Sequence, residues 1–196
     1  MNNTAPLTIS HLQNMKEQGE KIAMLTCYDA TFAGAMDQAG VDIVLVGDSM
    51  GMVVQGRSTT VGVGVEEIAY HTACVAAGVK RAFVLADMPF GSYHDEFTAI
   101  ENAVDLLGAG GAMVKLEGAG PMISIVDYLT SRGVPVCAHL GLTPQSVNQL
   151  GGFKVQAREE EDARQLLKDA QAMQQAGAQM LVLECVPAAL GRDVSE

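Results

Sequence analysis

Residues 43–49 read IVLVGDS, an aliphatic run that ends on the carboxylate of Asp48. Four later stretches have the same form: FVLADMP (83–89), AMVKLEG (112–118), VPVCAHLG (134–141) and MLVLECVP (180–187). The polar side chains at their ends are Asp87, Glu117, His139 and Glu184. Continuous aliphatic runs are typical of parallel strands that are buried on both faces. Active sites of strand–helix barrels lie at the carboxyl ends of the strands, so the sequence predicts a metal-dependent enzyme with a carboxylate-rich pocket.

The segments between these runs have the end signals and the periodicity of helices. Helices are predicted at 30–40, 65–78, 95–107, from Pro121 to Gly133, and at 159–177. Residues 51–64 and 140–157 are predicted to be long loops, and 21–29 to be a first strand. Six strand–helix units predict a parallel sheet. A polar residue at nearly every strand end favours a barrel over an open sheet, whose ligands gather at one switch point.

Composition narrows the class of protein and its partners. The chain has 196 residues, of which 48% are hydrophobic, and these values fit one domain with a substantial aliphatic core. A net charge of -11 argues against a nucleic acid or an anionic membrane as partner. The four cysteines form no CxxC pair, and no signal peptide or bilayer-length apolar run is visible. We therefore expect a protein of the reducing cytoplasm.

Three carboxylates from separate strands, Asp48, Asp87 and Glu117, supply the hard oxygen ligands that Mg²⁺ prefers. The alternative for each is a helix cap or a loop charge. Lys115 lies two residues before Glu117, so both side chains share one face of a strand. We expect Lys115 to hold a substrate carboxylate, and the alternative is a surface ion pair.

Glu184 lies between Leu183 and Cys185, so desolvation is expected to raise its pKa and to make it a general base near neutral pH. The alternative is a structural glutamate that caps the next helix. His139 is a candidate to polarise a carbonyl or to donate to a ligand, although a lone histidine near a strand end is more often a structural hydrogen-bonding residue, and its role stays open. The chain contains no P-loop and no GxGxxG fingerprint, so nucleotide binding has no support.

Several motifs of the chain resemble those of the ketopantoate hydroxymethyltransferase family. They are MLTCYDA, VGDSMGMVVQG, AYHTA, LADMPFGSY, MVKLEG, PVCAHLGLTPQSVNQLGGFKVQ and LVLECVP. Together they extend from about Lys21 to Pro187, and the stretch HLGLTPQSVNQLGGFKVQ is highly specific. The resemblance implies a TIM-type barrel that uses Mg²⁺ and 5,10-methylenetetrahydrofolate to transfer a hydroxymethyl group to 3-methyl-2-oxobutanoate. It also implies a homo-oligomer, because family members form decamers.

The resemblance assigns roles to the same side chains. It implies that Asp48 and Asp87 bind Mg²⁺ and substrate, and that Glu117 belongs to the metal shell. Ser49 is expected to touch the substrate, and Lys115 to bind it. His139 is included among the substrate-binding candidates. Glu184 is expected to accept the proton that leaves C3 of the 2-oxo acid.

Relatives continue past the end of this sequence through two further strand–helix units. We therefore expect residues 1–196 to form a single TIM-type (β/α)8 barrel domain that is truncated after the sixth strand. Open edges on the first and sixth strands lead us to expect little or no activity from the 196-residue chain. Two other functions stay open: a Mg²⁺-dependent carbon–carbon lyase of the phosphoenolpyruvate mutase type, and an inactive truncated fragment.

Overall fold

One parallel six-stranded sheet organises residues 5–196, the part of the chain that the computed structural model describes. The strands are β1 (Met24–Thr26), β2 (Ile43–Val46), β3 (Phe83–Asp87), β4 (Met113–Glu117), β5 (Val136–Gly141) and β6 (Met180–Glu184). They lie side by side in chain order, and each pairs in parallel with the next. A doubly wound open sheet reverses its strand order at a switch point. The order without reversal is that of a strand–helix barrel, which confirms the predicted α/β class.

Helices connect the strands. They are α1 (Ile9–Glu17), α2 (Ala30–Gln38), α3 (Met50–Val53), α4 (Val65–Gly78), α5 (Glu96–Gly108), α6 (Met122–Thr130), α7 (Val147–Leu150), α8 (Glu160–Gln175) and α9 (Ala188–Ser195). The Asp29 side chain caps α2 by accepting from the backbone N–H groups of Thr31 and Phe32. The Asp95 side chain caps α5 in the same way. Such caps satisfy N–H groups that have no partner inside the helix, which explains why these helices begin where they do.

Two long segments predicted as loops contain short helices. The four-residue α3 begins one residue before the predicted 51–64 loop and extends into it, and a 3-10 turn at Pro144–Ser146 leads into α7 within 140–157. Both were missed because four residues are too few to show helical periodicity. The first strand is also shorter than predicted, at three residues.

Burial differs between the centre and the margins of the sheet. Every residue of β2, β3 and β4 is buried, whereas all five residues of β6 are only half-buried. Within the described chain β6 pairs on one side, with β5. Aliphatic clusters pack on both faces of the sheet; one includes Val44 and Val84, and the other includes Leu45 and Leu85. Among the helices of residues 5–196, none is both long and apolar enough to span a bilayer.

Asp37, on the last turn of α2, anchors the segment that enters β3. Its carboxylate accepts from the backbone N–H groups of Lys80, Arg81 and Ala82 at 2.7–3.0 Å. Burial raises the pKa of Asp37, but these three donors outweigh that effect and hold the pKa below its usual value. The folded state therefore favours the ionised carboxylate.

Replacing Asp37 with asparagine should destabilise the fold by about 1–3 kcal/mol, because an amide cannot accept from all three donors. The folded-state pKa is lowered, so the charged group's contribution is complete above the unfolded pKa of about 3.9 and is lost as the pH falls through the folded value. Urea unfolding at pH 7 and under acid should show the difference between parent and variant shrinking in acid. The exposed Asp105→Asn change on α5 is the control, and equal effects of both changes would contradict the anchoring role.

Candidate active site

The polar residues predicted at the strand ends do converge at the carboxyl end of the sheet. Asp87, Glu117 and Glu184 are the last residues of β3, β4 and β6, and Asp48 follows β2 by two residues. His139 lies within β5, paired in register with Glu117. Asp48, Asp87, Glu117 and His139 are buried. The parallel register brings these side chains together from strands that are far apart in the sequence.

A buried ion pair lies at the centre of this cluster. The ammonium Nζ of Lys115 donates to Asp87 Oδ1 at 2.5 Å and lies 3.6 Å from Glu117 Oε1. The side chain of Lys115 is 4% exposed, and those of its two partners are each 3% exposed. Burial alone would lower the pKa of Lys115, but the two carboxylates outweigh it and raise that pKa. The surface ion pair considered as an alternative is therefore wrong, and Lys115 is a buried cation.

Asp48 is the carboxylate of the cluster without its own cation. Its Oδ2 accepts from Gln145 Nε2 at 2.9 Å, and its backbone N–H donates to Asp87 Oδ2 at 3.2 Å. Burial, and then the charge of Asp87, raise the pKa of Asp48 to about 7. Burial likewise raises the pKa of Asp87, although Lys115 opposes this. Asp48 thus interacts with two further carboxylates, those of Asp87 and Glu117, and with one cation, Lys115, so acidic groups outnumber the ammonium here.

His139 lies between two carboxylates. Its Nδ1 is hydrogen-bonded to Glu117 Oε1 at 3.1 Å, and its Nε2 lies 3.4 Å from Glu184 Oε2. That second contact is close enough for an ion pair but is not aligned as a hydrogen bond, so the buried Nε2 lacks a hydrogen-bond partner in residues 5–196. Burial lowers the pKa of His139, but the carboxylates of Glu117 and Glu184 outweigh it and raise the pKa. The pKa of Glu117 is held low by its contacts with His139, Lys115 and Gln145, although burial opposes this.

The expected desolvation of Glu184 is wrong. The side chain of Glu184 is 40% exposed. In the described chain β6 pairs only with β5, and the residue after Glu184, Cys185, is exposed as well. Glu184 is therefore the group of the cluster that solvent and ligands reach most easily. Ser49, the other predicted substrate contact, is half-buried beside Asp48, and its Oγ shares a hydrogen bond of 2.9 Å with the Tyr28 hydroxyl.

Two members of the cluster were missed from the sequence, Gln145 and Tyr93. Both are buried, and the Tyr93 hydroxyl donates to Gln145 Oε1. The Gln145 backbone N–H donates to Glu117 Oε2 at 3.0 Å, and the Glu117 N–H donates to Tyr93 Oη at 3.3 Å. Neither residue carries a formal charge at neutral pH, so a search for charged residues at strand ends passes over both. The signal was their place in two of the family motifs, LADMPFGSY for Tyr93 and PVCAHLGLTPQSVNQLGGFKVQ for Gln145.

Gly141 sets the distance between the ends of β5 and β6. Its φ of +91° is a left-handed value that glycine adopts without strain. A Cβ at this position would lie 2.3 Å from the carbonyl oxygen of Glu184, which accepts from Leu142 N at 2.8 Å. Cys185, the residue after Glu184, has a φ of +49°, so the backbone is also constrained immediately after Glu184. The position of Glu184 therefore depends on the absence of a side chain at residue 141.

The donor set fits a cation that needs few protein ligands. Within residues 5–196, no three histidine, cysteine or carboxylate side chains form a complete metal-holding group. Mg²⁺ is commonly held by one or two carboxylates, with water and substrate oxygens in the other positions. Asp48 and Asp87 are adjacent, supply only oxygen, and lie where acidic groups outnumber the ammonium. These two residues are therefore compatible with Mg²⁺. Glu117 is linked to Asp87 by Lys115, whose ammonium contacts both carboxylates.

Comparison with known sequences identifies relatives of this chain. The family model described as ketopantoate hydroxymethyltransferase matches residues 6–196. The chain is 57% identical over 191 residues to 3-methyl-2-oxobutanoate hydroxymethyltransferase of Thiobacillus denitrificans, covering 97% of this chain and 73% of the relative. It is 59% identical over 186 residues to the protein of that name in Methylobacillus flagellatus, covering 94% and 71%.

Comparison with solved structures supports the fold. The crystal structure of phosphonopyruvate hydrolase with oxalate and Mg²⁺ matches with a TM-score of 0.69 at 12% identity, over 91% of this chain and 63% of that one. The structure of 2,3-dimethylmalate lyase, a member of the PEP mutase/isocitrate lyase superfamily, matches with a TM-score of 0.67 at 16% identity, over 96% and 68%. The chain thus spans less than two thirds of the hydrolase. At these identities the likeness concerns the fold alone.

Proposed function

The chain belongs to the ketopantoate hydroxymethyltransferase family, and from this membership we propose its reaction. It transfers a hydroxymethyl group from 5,10-methylenetetrahydrofolate to 3-methyl-2-oxobutanoate in a Mg²⁺-dependent step of pantothenate synthesis. The products are ketopantoate and tetrahydrofolate. The observation that carries the proposal is the buried cluster of Asp48, Asp87, Lys115 and Glu117, which lies beside the accessible carboxylate of Glu184.

The cation site is assigned to Asp48 and Asp87, with Glu117 in the surrounding shell. Bound Mg²⁺ would supply a Lewis acid that polarises the 2-oxo group of the substrate. The protein's own part is to hold two carboxylates at buried positions, where charge without a counter-ion is unfavourable. The excess of acidic groups around Asp48 supports this assignment.

Substrate binding is assigned to Lys115 and Ser49. The Lys115 ammonium has three donors, and it uses one of them on Asp87 at 2.5 Å. It is therefore suited to bind the carboxylate of a 2-oxo acid that enters the cluster. Ser49 lies beside Asp48, and its hydroxyl is oriented by Tyr28. Together these groups would fix the orientation of the substrate before proton transfer.

Glu184 is assigned as the general base. It takes the proton from C3 of 3-methyl-2-oxobutanoate, and the electron pair of that C–H bond becomes the enolate. Water adds to the one-carbon unit of methylenetetrahydrofolate, both of its carbon–nitrogen bonds break, and the carrier nitrogens take up the two water hydrogens. The released formaldehyde-level carbon forms its bond to C3, and the water oxygen, now an alkoxide on that carbon, takes back the proton held by Glu184 to become the hydroxyl group. His139, 3.4 Å from Glu184 Oε2, would keep the carboxylate directed at C3, since its other nitrogen is hydrogen-bonded to Glu117.

The remaining partners follow from the family. We assign the chain two small-molecule substrates, a homo-oligomeric state and a cytoplasmic location. The free cysteines of the described chain, among them the exposed Cys185, are consistent with a reducing compartment.

Hydrogen exchange at C3 and product formation test the proposal separately. The protein is incubated with 3-methyl-2-oxobutanoate in D₂O, with and without Mg²⁺, and C3 deuteration is followed by NMR. Methylenetetrahydrofolate is then added, and ketopantoate is measured. We expect Mg²⁺-dependent exchange and folate-dependent product at the low rate that we expect from the 196-residue chain. Mg²⁺ binding should be much weaker for Asp87→Asn than for the control Asp105→Asn. A folded chain that binds both ligands but neither exchanges C3 nor forms product would contradict the proposal and support the inactive fragment.

A further inference from the structure

The Gln145 side chain is a buried amide that contacts the cation site without belonging to it. Gln145 lies in the 3-10 turn after β5 and is 3% exposed. Its Nε2 donates to Asp48 Oδ2 and to the carbonyl oxygen of Met88, both at 2.9 Å. Its Oε1 accepts from the Tyr93 hydroxyl. Both ends of the amide are therefore occupied by other groups of the chain.

The direction of every hydrogen in this chain of contacts is determined. The Met88 carbonyl can only accept, so the NH₂ end of Gln145 must face it. At the other end, Tyr93 Oη accepts from the Glu117 N–H, and its own hydrogen is available for Gln145 Oε1. The amide is thus oriented from both ends, and the second hydrogen of Nε2 must point at Asp48 Oδ2.

This orientation makes the two oxygens of Asp48 different. Oδ2 is held by Gln145, whereas Oδ1 accepts no hydrogen bond from the described residues. If Asp48 turned so that both of its oxygens faced one cation, Oδ2 would move away from Nε2 of Gln145, and a buried N–H donor would lose its partner. Asp87 is held at both of its oxygens, by Lys115 Nζ and by the Asp48 N–H. The hydrogen bonds therefore favour one oxygen from each carboxylate.

We infer that Gln145 is a positioning residue that restricts Asp48 to one-oxygen binding of a divalent cation and so favours Mg²⁺ over Ca²⁺. The inference rests on the proposed cation site at Asp48 and Asp87. Mg²⁺ requires a compact octahedron with few protein ligands, whereas Ca²⁺ accepts more ligands and two-oxygen carboxylates. An Asp48 side chain that is free to turn and bind through both oxygens would suit Ca²⁺ better. Gln145 and, behind it, Tyr93 prevent that turn.

The test is the ratio of Mg²⁺ to Ca²⁺ affinity, measured by calorimetry with each metal chloride alone. Gln145→Leu removes the amide at similar size. Loss of a group that orients a metal ligand typically weakens binding about 10–100-fold. We expect a loss of this size for Mg²⁺ and a smaller loss for Ca²⁺, so that the ratio falls about tenfold. Tyr93→Phe should shift the ratio in the same direction by less, because it frees only one end of the amide.

Asn102→Leu is the matched control. Asn102 is a half-buried amide that donates to the Ser92 carbonyl at 2.7 Å, on the segment that carries Tyr93. It should leave the ratio unchanged, whereas a general loosening of the fold would shift all three variants. If Gln145→Leu does not fold, Tyr93→Phe decides the test. An unchanged ratio in a folded variant of a metal-binding parent overturns this inference alone. A parent that binds neither metal overturns it together with the proposed cation site.

Discussion

Replacing Glu184 with glutamine is expected to slow C3 deuterium exchange in 3-methyl-2-oxobutanoate by about 10²–10⁴-fold, the usual effect of losing a general base. Glutamine has the shape of glutamate but cannot accept the proton. The side chain is 40% exposed, so the change should not disturb the buried cluster of Asp48, Asp87, Lys115 and Glu117. Binding of Mg²⁺ and of the 2-oxo acid should therefore be nearly unchanged.

The measurement is NMR of the substrate in D₂O, with binding followed in parallel by calorimetry. Glu160→Gln is the control, because Glu160 is an exposed glutamate of α8 that pairs with Arg164 one helical turn away. Exchange at the parental rate in Glu184→Gln, with substrate bound, would exclude Glu184 as the base. If Glu184→Gln no longer binds the 2-oxo acid, Glu184 is a substrate-binding residue rather than the base.

Replacing Lys115 with methionine should destabilise the fold by about 3–5 kcal/mol, since it leaves two buried carboxylates without their cation. That is a large part of a typical domain stability of ~5–15 kcal/mol. Methionine keeps the approximate volume of the side chain, so the loss reports charge rather than a cavity. Urea unfolding measures it, with the exposed Lys168→Met on α8 as the control.

A second substitution separates the charge effect from packing. Asp87→Asn removes one of the two stranded carboxylates, so it should recover part of the stability lost in Lys115→Met. The two changes should therefore be non-additive, as expected for residues in direct contact at 2.5 Å. Strict additivity of the two free energies would mean that the ion pair contributes little, and that Lys115 acts mainly by filling space.

The strand ends of this fold were predictable because burial on both faces has a direct signature in sequence. Asp87 and Glu117 end strands in which every residue is buried, so the aliphatic runs before them are continuous. The face shared by Lys115 and Glu117 followed from the two-residue period of a strand, and the Lys115 ammonium does lie 3.6 Å from Glu117 Oε1. Local rules were sufficient for these positions.

Other features depended on contacts that no local pattern contains. Gln145 is 97 residues from Asp48 in sequence and carries no charge, so its contact with Asp48 could be found only in three dimensions. The exposure of Glu184 was mispredicted from its neighbours Leu183 and Cys185, because strand burial depends on what packs against the strand. The short α3 was hidden in a glycine-rich segment where MGMV is too short to show a period.

Gly141 gives this site a vulnerability that involves no functional group. A methyl group at residue 141 would press on the carbonyl of Glu184 and displace the base from outside the cluster. Every acid, cation and hydrogen-bond donor discussed above would still be present in the sequence. A comparison of reactive side chains alone would find no difference between this variant and the parent, although the position of Glu184 had changed. In this chain, the absence of a Cβ atom at residue 141 determines reactivity as much as the charged side chains of the cluster do.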